Sequence, residues 1–412
     1  MMSTAISGIR KMGATRLCFL SIFLLNTVMN GSRAQGIQGI HFANDQAVTI
    51  ALEGDKIKSI NEIPQVAVDQ YVAPGLIDIQ INGYVGVDFS GPDLTVEGVK
   101  KATKALWKAG VTSYLPTIIT SDINRIKENF AVLAEARKDP EIGQSIPGFH
   151  LEGPYISPVK GFRGAHLAKY IKAPDWEEFE EIQAAAENGI RIITVAPEIN
   201  GAIELIERCV ARGIVVSLGH HNGTAEDIQK AVAAGATMAT HLGNGCANEI
   251  NRHYNPIWPQ LSHDEITPSI IADGFHLTRD EVRSFYKVKG PEKTVLVSDA
   301  LDLAGLPPGE YIRGERRLVL TPNVVKLPDE DVLAGAASPI SLCLGVMMRY
   351  TDCGLPNAIQ MASTNPARIL DLPGLGGLDP GQRADMILFR MVNEEVIIDQ
   401  TYVAGTLVYS RD

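Results

Sequence analysis

The residues best suited to chemistry lie where short apolar runs end. All nine histidines fall at or before His276, and several sit in such places. The segments are Phe149-His150-Leu151-Glu152, Ser217-Leu218-Gly219-His220-His221, Ala239-Thr240-His241-Leu242-Gly243-Asn244 and Ala272-Asp273-Gly274-Phe275-His276. A fifth run ends in Val297-Ser298-Asp299-Ala300. Glu152, His220 and His241 would supply one carboxylate oxygen and two imidazole nitrogens. That donor set suits one divalent ion, Zn²⁺ above all, with a position left for water. Such an ion brings the pKa of its water down to about 7, which makes a nucleophile at neutral pH. Asp299 could take the water's proton and hand it to a leaving nitrogen, and His276 could hydrogen-bond a carbonyl oxygen as it gains charge. Taken singly, each histidine reads more plainly as a packed or surface residue, and Asp299 as a turn or helix cap. The weight comes from several strand ends finishing in His, Glu or Asp.

Those side chains need a frame that brings distant segments together. Between Val72 and Pro366, eight strand-like runs are expected at Gly75–Ile81, Thr112–Ile119, Ile146–Leu151, Ile190–Val195, Ile214–Leu218, Thr237–Thr240, Ser269–Ala272 and Thr294–Val297. Helical spacing separates most of them, as in Val99–Trp107, Ile123–Ala136, Trp176–Ala186 and Ile228–Ala234. Parallel strands with crossover helices predict an α/β fold, a (β/α)8 TIM-like barrel, whose active site sits at the C-terminal strand ends. A doubly wound open sheet is the second choice. The chain has no G-x-G-x-x-G after a strand, so a dinucleotide site has no support. Short strand signals at both chain ends predict a small β-sandwich-like domain from residues 35–70 and 372–412, with the barrel at 71–371.

With 37 basic and 48 acidic residues the chain carries −11, which argues against a nucleic-acid partner. Arg10, Lys11 and Arg16 precede the mostly apolar run Leu17–Leu25, and Ser32-Arg33-Ala34 follows as a small-x-small site. Residues 1–34 therefore read as a signal peptide, too short to span a bilayer and leaving no stable membrane insertion once removed. A working leader places the protein outside the cytoplasm or in a periplasm; otherwise it is cytoplasmic. Cys209, Cys246, Cys343 and Cys353 lie beyond the leader without a C-x-x-C pair, though Cys343 and Cys353 are near enough in sequence for a disulfide.

Tyr71–Gly75, Leu151–Pro154, Gly219–Thr224, Thr240–Gly245, Ile271–His276 and Val297–Ala300 resemble the N-acetylglucosamine-6-phosphate deacetylase family of the amidohydrolase superfamily. The similarity runs from about residue 37 to the end and takes in Thr364-Asn365-Pro366-Ala367 and Leu378–Phe389. The resemblance implies hydrolysis of the N-acetyl amide of an amino sugar, as its 6-phosphate, to acetate and the free amine. It implies Glu152, His220 and His241 as metal ligands, Asp299 as general base and acid, and His276 as the group that polarises the acetyl carbonyl. It further implies sugar contacts from His166, Asn244 and Gly245, a phosphate contact from Arg252, and a homodimer.

The chain departs from the superfamily pattern in two places. Gln80-Ile81-Asn82 stands where many amidohydrolases have His-x-His, and amides are poor ligands for a soft-leaning ion, so one metal is expected rather than two. The segment Asn248–His263 is richer in aromatic residues and histidine than the usual family loop. Alternatives are an amidohydrolase acting on an unphosphorylated N-acyl amine or cyclic amide, and a non-catalytic sugar-binding relative.

Overall fold

Every residue of the run Leu76–Ile81 is buried, as in a strand covered on both faces. It opens an eight-stranded parallel sheet, seen in a computed structural model that describes residues 36–64, 68–313, 316–328 and 332–411. The leader reading of residues 1–34 lies outside the described residues. The following strands are Val111–Ile119, Phe149–Glu152, Ile190–Val195, Val215–Leu218, Met238–Ala239, Thr267–Ile270 and Val295–Leu296, each hydrogen-bonded to the next. The sheet then closes on itself: Ile81 forms a parallel bridge with Ala300, and the Asn82 N–H donates to the Ala300 carbonyl over 2.8 Å. That closure makes it a barrel and removes the open doubly wound sheet.

Apolar side chains fill the barrel. Ile77, Ile79, Leu115, Ile192, Met238 and Val295 belong to one buried cluster, although they come from the first, second, fourth, sixth and eighth strands. Strands that are not neighbours meet across the interior, so this is a packed core rather than a pore. A larger cluster lies between strands and helices, where Val99, Leu106 and Trp107 form the buried face of Val96–Lys108. Two helices behind the functional strand ends carry reciprocal caps: Thr224 with Asp227 opens Ala225–Ala233, and Thr278 with Glu281 opens Arg279–Lys289. Each cap fixes the turn a few residues after His220 or His276.

Both chain ends build a seven-stranded sheet, in the order Thr406–Ser410, Glu395–Val403, Met386–Val392, Tyr71–Pro74, Ile37–His41, Ala47–Glu53 and Lys56–Glu62. Tyr71–Pro74, read from sequence as the first residues of the barrel, lies at its centre, between strands from the two ends. Glu395–Val403 is one continuous strand and pairs along its length with Met386–Val392. The seventh barrel strand starts at Thr267, two residues before the expectation, and ends at Ile270. Beyond it Asp273 turns the chain by accepting the Phe275 and His276 N–H groups.

A four-stranded antiparallel meander was not anticipated. Gly309–Arg313, Arg316–Leu320, Val324–Leu327 and Val332–Ala336 pair in sequence order before the helix Ile340–Thr351. It is fastened to the barrel rim: the Ala336 N–H donates to the Asp299 carbonyl and the Leu301 N–H to the Ala336 carbonyl, both over 2.9 Å. Arg313 adds ion pairs to Asp88, at 2.9 Å, and to Asp302. Cys209, Cys246, Cys343 and Cys353 are all free, so Cys343 and Cys353 form no disulfide. Among the described residues no helix is long and apolar enough to cross a membrane.

Candidate active site

Glu152 ends the third barrel strand, His220 follows the fifth, and His241 follows the sixth. The three lie far apart in sequence, yet their tips meet. His220 Nε2 and His241 Nε2 each lie 3.0 Å from Glu152 Oε1 and 3.1 Å from one another. All three residues are buried. Bonds of about 2.0–2.1 Å to a tetrahedral ion put neighbouring donors roughly 3.3 Å apart, so the observed triangle is nearly a face of that polyhedron. The donor set and its spacing fit one divalent ion. Among the described residues, Glu152, His220 and His241 are the group of His, Cys, Asp or Glu side chains placed to hold a metal ion, and His166 Nε2 stands 4.0 Å from Glu152 Oε1 beside them.

The backbone works to present these groups. His220, His241 and Asp299 have φ of 49°, 32° and 50°, a left-handed region that costs non-glycine residues on the order of 1 kcal/mol or more. The His220 ring is held between two glycines and by a carbonyl. A Cβ on Gly164 would come 2.8 Å from its Cε1, one on Gly245 would come 2.8 Å from its Nδ1, and Nδ1 is 3.2 Å from the Phe162 oxygen. A carbonyl on the far nitrogen is the usual way to orient a ligating histidine.

Charge in the site is shared among few groups. Burial pushes the Glu152 carboxyl upward, but hydrogen bonds from His220 and His241 outweigh it and hold the group well below the usual carboxylate range. Burial lowers His220; on His241 it is outweighed by the Glu152 hydrogen bond, which holds that ring above its ordinary value. Burial, then the Glu152 charge, push the Asp299 carboxyl up to about 6. A carboxyl near that value can both take and return a proton close to neutrality.

Asp299 and His276 border the same cleft of about 480 Å³ as the three clustered residues, and His166, Asn244 and Gly245 line it too. The Asn244 amide nitrogen is buried without a hydrogen-bond partner among the described residues, leaving it available to a ligand. His166 Nε2 lies 3.2 Å from His220 Nε2, while its Nδ1 meets the Thr120 hydroxyl at 2.7 Å. Arg252 is the exception among the sequence candidates. It sits on the exposed stretch 251–254 and is absent from the cleft lining.

Some contributors escaped the sequence reading. Asp273 Oδ2 lies 2.8 Å from His276 Nδ1 and fixes that ring; the Asp-x-x-His spacing within one turn was the available signal. Gln80 and Asn82 were read only as lost metal ligands, yet both amides donate to Asp299 Oδ1. His150, read as structural, is buried between the Ile79 carbonyl and the Thr194 hydroxyl, from which Thr240 and Ser217 continue a polar chain below the cluster. His221, which follows His220, is also buried, and its Nδ1 accepts the Gly223 N–H.

Comparison with known proteins agrees with this geometry. The model of the amidohydrolase family matches residues 71–408. The N-acetylglucosamine-6-phosphate deacetylase of Rattus norvegicus is 32% identical over 352 residues, covering 83% of this chain and 84% of that protein. The enzyme of the same name from Vibrio furnissii is 30% identical over 389 residues, covering 92% and 94%. Among solved structures, N-acetylglucosamine-6-phosphate deacetylase from Thermotoga maritima superposes with a TM-score of 0.80 at 29% identity, covering 90% of this chain and 99% of that one. A point mutant of the Mycobacterium smegmatis enzyme, in complex with N-acetyl-D-glucosamine-6-phosphate, also gives 0.80, at 27% identity with 88% and 95% covered. The chain belongs to the amidohydrolase family and, within it, to the N-acetylglucosamine-6-phosphate deacetylases.

Proposed function

We propose that the protein hydrolyses the N-acetyl amide of N-acetylglucosamine 6-phosphate to acetate and the free amine, using one zinc ion held by Glu152, His220 and His241. The observation that carries this reading is the triangle of donors, 3.0 to 3.1 Å on a side, in one cleft with Asp299 and His276. When bound, the ion supplies Lewis acidity and lowers the pKa of water. The rest falls to the chain. Asp299, ionised, accepts the proton of the attacking water and returns it to the amide nitrogen as the C–N bond breaks. His276 donates from Nε2 to the acetyl oxygen as charge develops there. Asp273 Oδ2, 2.8 Å from Nδ1, orients the ring for that contact, and hydrogen bonds keep the Asp273 carboxyl below its ordinary value despite burial.

His166, the Asn244 amide and the Gly245 backbone are assigned to the sugar, and Arg252, on the exposed stretch that follows Ile250 of the cleft lining, to the 6-phosphate, which its planar fork suits. The family relationship also supports a homodimer, which sedimentation of the purified protein would test. The reading as a whole is tested by acetate release from phosphorylated and plain N-acetylglucosamine. The expected result is a kcat/KM at least about tenfold higher for the phosphorylated sugar, the scale of one charge-assisted contact. Equal values would move the substrate to an unphosphorylated N-acyl amine.

A further inference from the structure

Gln80 and Asn82 sit two apart, at and just past the end of the first barrel strand, so their side chains leave it on the same face. Both reach one atom across the seam where the barrel closes. The Asn82 amide donates to Asp299 Oδ1 over 2.7 Å, and the Gln80 amide donates to the same oxygen over 3.3 Å. The backbones are tied together as well: the Asp299 N–H donates to the Gln80 carbonyl over 2.9 Å. Gln80 and Asn82 are 1% and 5% exposed, so both amides are largely shielded from bulk solvent, although Asn82 also borders the cleft.

We propose that Gln80 and Asn82 are positioning residues for Asp299: by occupying Oδ1 they fix the carboxylate plane and leave Oδ2 as the oxygen that carries the proton. The proposal rests on Asp299 being the proton carrier in the reading above. The chemistry explains why amides serve here. A cation at either position would hold the carboxylate by its charge and weaken it as a base. An amide N–H orients the group without adding a full charge. The two contacts are unequal, so the shorter one, from Asn82, should matter more.

The test uses the metal-loaded full-length protein. Asn82→Leu keeps the approximate shape and removes the donor, and Gln80→Met does the same at the longer contact. Asn82→Leu is expected to lower kcat by roughly ten- to a hundredfold, the range for a hydrogen bond to a charged group, with KM moving less than about threefold. Gln80→Met should cost less. Metal content and thermal midpoint should match the parent, since neither residue belongs to the donor triangle. The decisive step repeats Asn82→Leu in an Asp299→Asn background. If Asn82 acts through Asp299, the second substitution changes the residual rate by less than about twofold. An equal loss in both backgrounds, an unchanged kcat, or a loss that follows metal content would each overturn the proposal. Should Asn82→Leu lose its thermal midpoint, Gln80→Met carries the same comparison. An Asp299→Asn enzyme as fast as the parent would instead sink the role given to Asp299 itself, and this proposal with it.

Discussion

A methyl group on Gly245 would stand 2.8 Å from Nδ1 of His220, closer than real Cβ contacts allow. Gly245 also has φ of +59°, so a side chain there is strained as well as crowded. The glycine thus backs the His220 ring of the donor triangle from behind. Gly245→Ala is expected to weaken metal binding roughly ten- to a hundredfold, the usual scale for disturbing a ligand's support. Competition with a chelator measures this. An affinity equal to that of the parent would break the link between the loop and the ring.

The donor triangle also predicts how stability responds to metal. An ion that binds only the folded chain adds about 2.7 kcal/mol when present at a hundred times its Kd. Removing metal with a chelator should therefore lower the thermal midpoint, and zinc should restore it. Glu152→Ala removes the carboxylate that both imidazoles face, so zinc should no longer raise the midpoint of that variant. A zinc response of undiminished size would place the ion elsewhere.

Asp78 predicts a dependence on pH. Its carboxyl is buried next to the seam, with Oδ1 accepting the Ser298 N–H and Oδ2 without a partner among the described residues. Burial raises it from 3.8 to about 7. A carboxyl raised in the folded state stabilises while protonated, and that contribution is lost as pH rises from the unfolded value through the folded one. Between pH 4 and 8 the loss from this group is about 4 kcal/mol. Asp78→Asn removes the titration, so the stability difference should grow in the variant's favour as pH rises toward 7 and level off above it. Urea midpoints at pH 5 and 8 would show it, and a constant difference would contradict it.

Arg252 separates the phosphate reading from a merely exposed loop charge. If it binds the 6-phosphate, Arg252→Ala should raise KM for the phosphorylated sugar about tenfold with little change in kcat. KM for the unphosphorylated sugar should stay where it was. An equal effect on both substrates would remove the phosphate role.

The barrel and the residues gathered at its mouth were legible because they leave a local trace. Apolar runs separated by helical spacing marked the strands, and His220, His241, Glu152 and Asp299 each stood at or just past the end of one. The interactions that tie those ends together left no such trace. Gln80 and Asn82 meet Asp299 from more than two hundred positions away in the chain, so the sequence displayed only that two histidines were missing. The meander from Gly309 to Ala336 was hidden for another reason. Its strands are short and, apart from the bridge at Ala336 to the barrel rim, pair with one another, and its first, Gly309–Arg313, has no buried residue to set an alternation. Tyr71–Pro74 carried an apolar signal that suited either sheet, and only pairing with strands from both chain ends settled which.

The most direct test of the account pairs metal analysis with turnover for Asp299→Asn. The substitution keeps the side chain's shape and removes its ability to accept a proton, while Glu152, His220 and His241 are untouched. The account predicts about one metal ion per chain, as in the parent, and a kcat lower by roughly 10²–10⁴-fold, the range attributed to a positioned acid or base. A variant that keeps its metal and deacetylates N-acetylglucosamine 6-phosphate at the parent rate would contradict it.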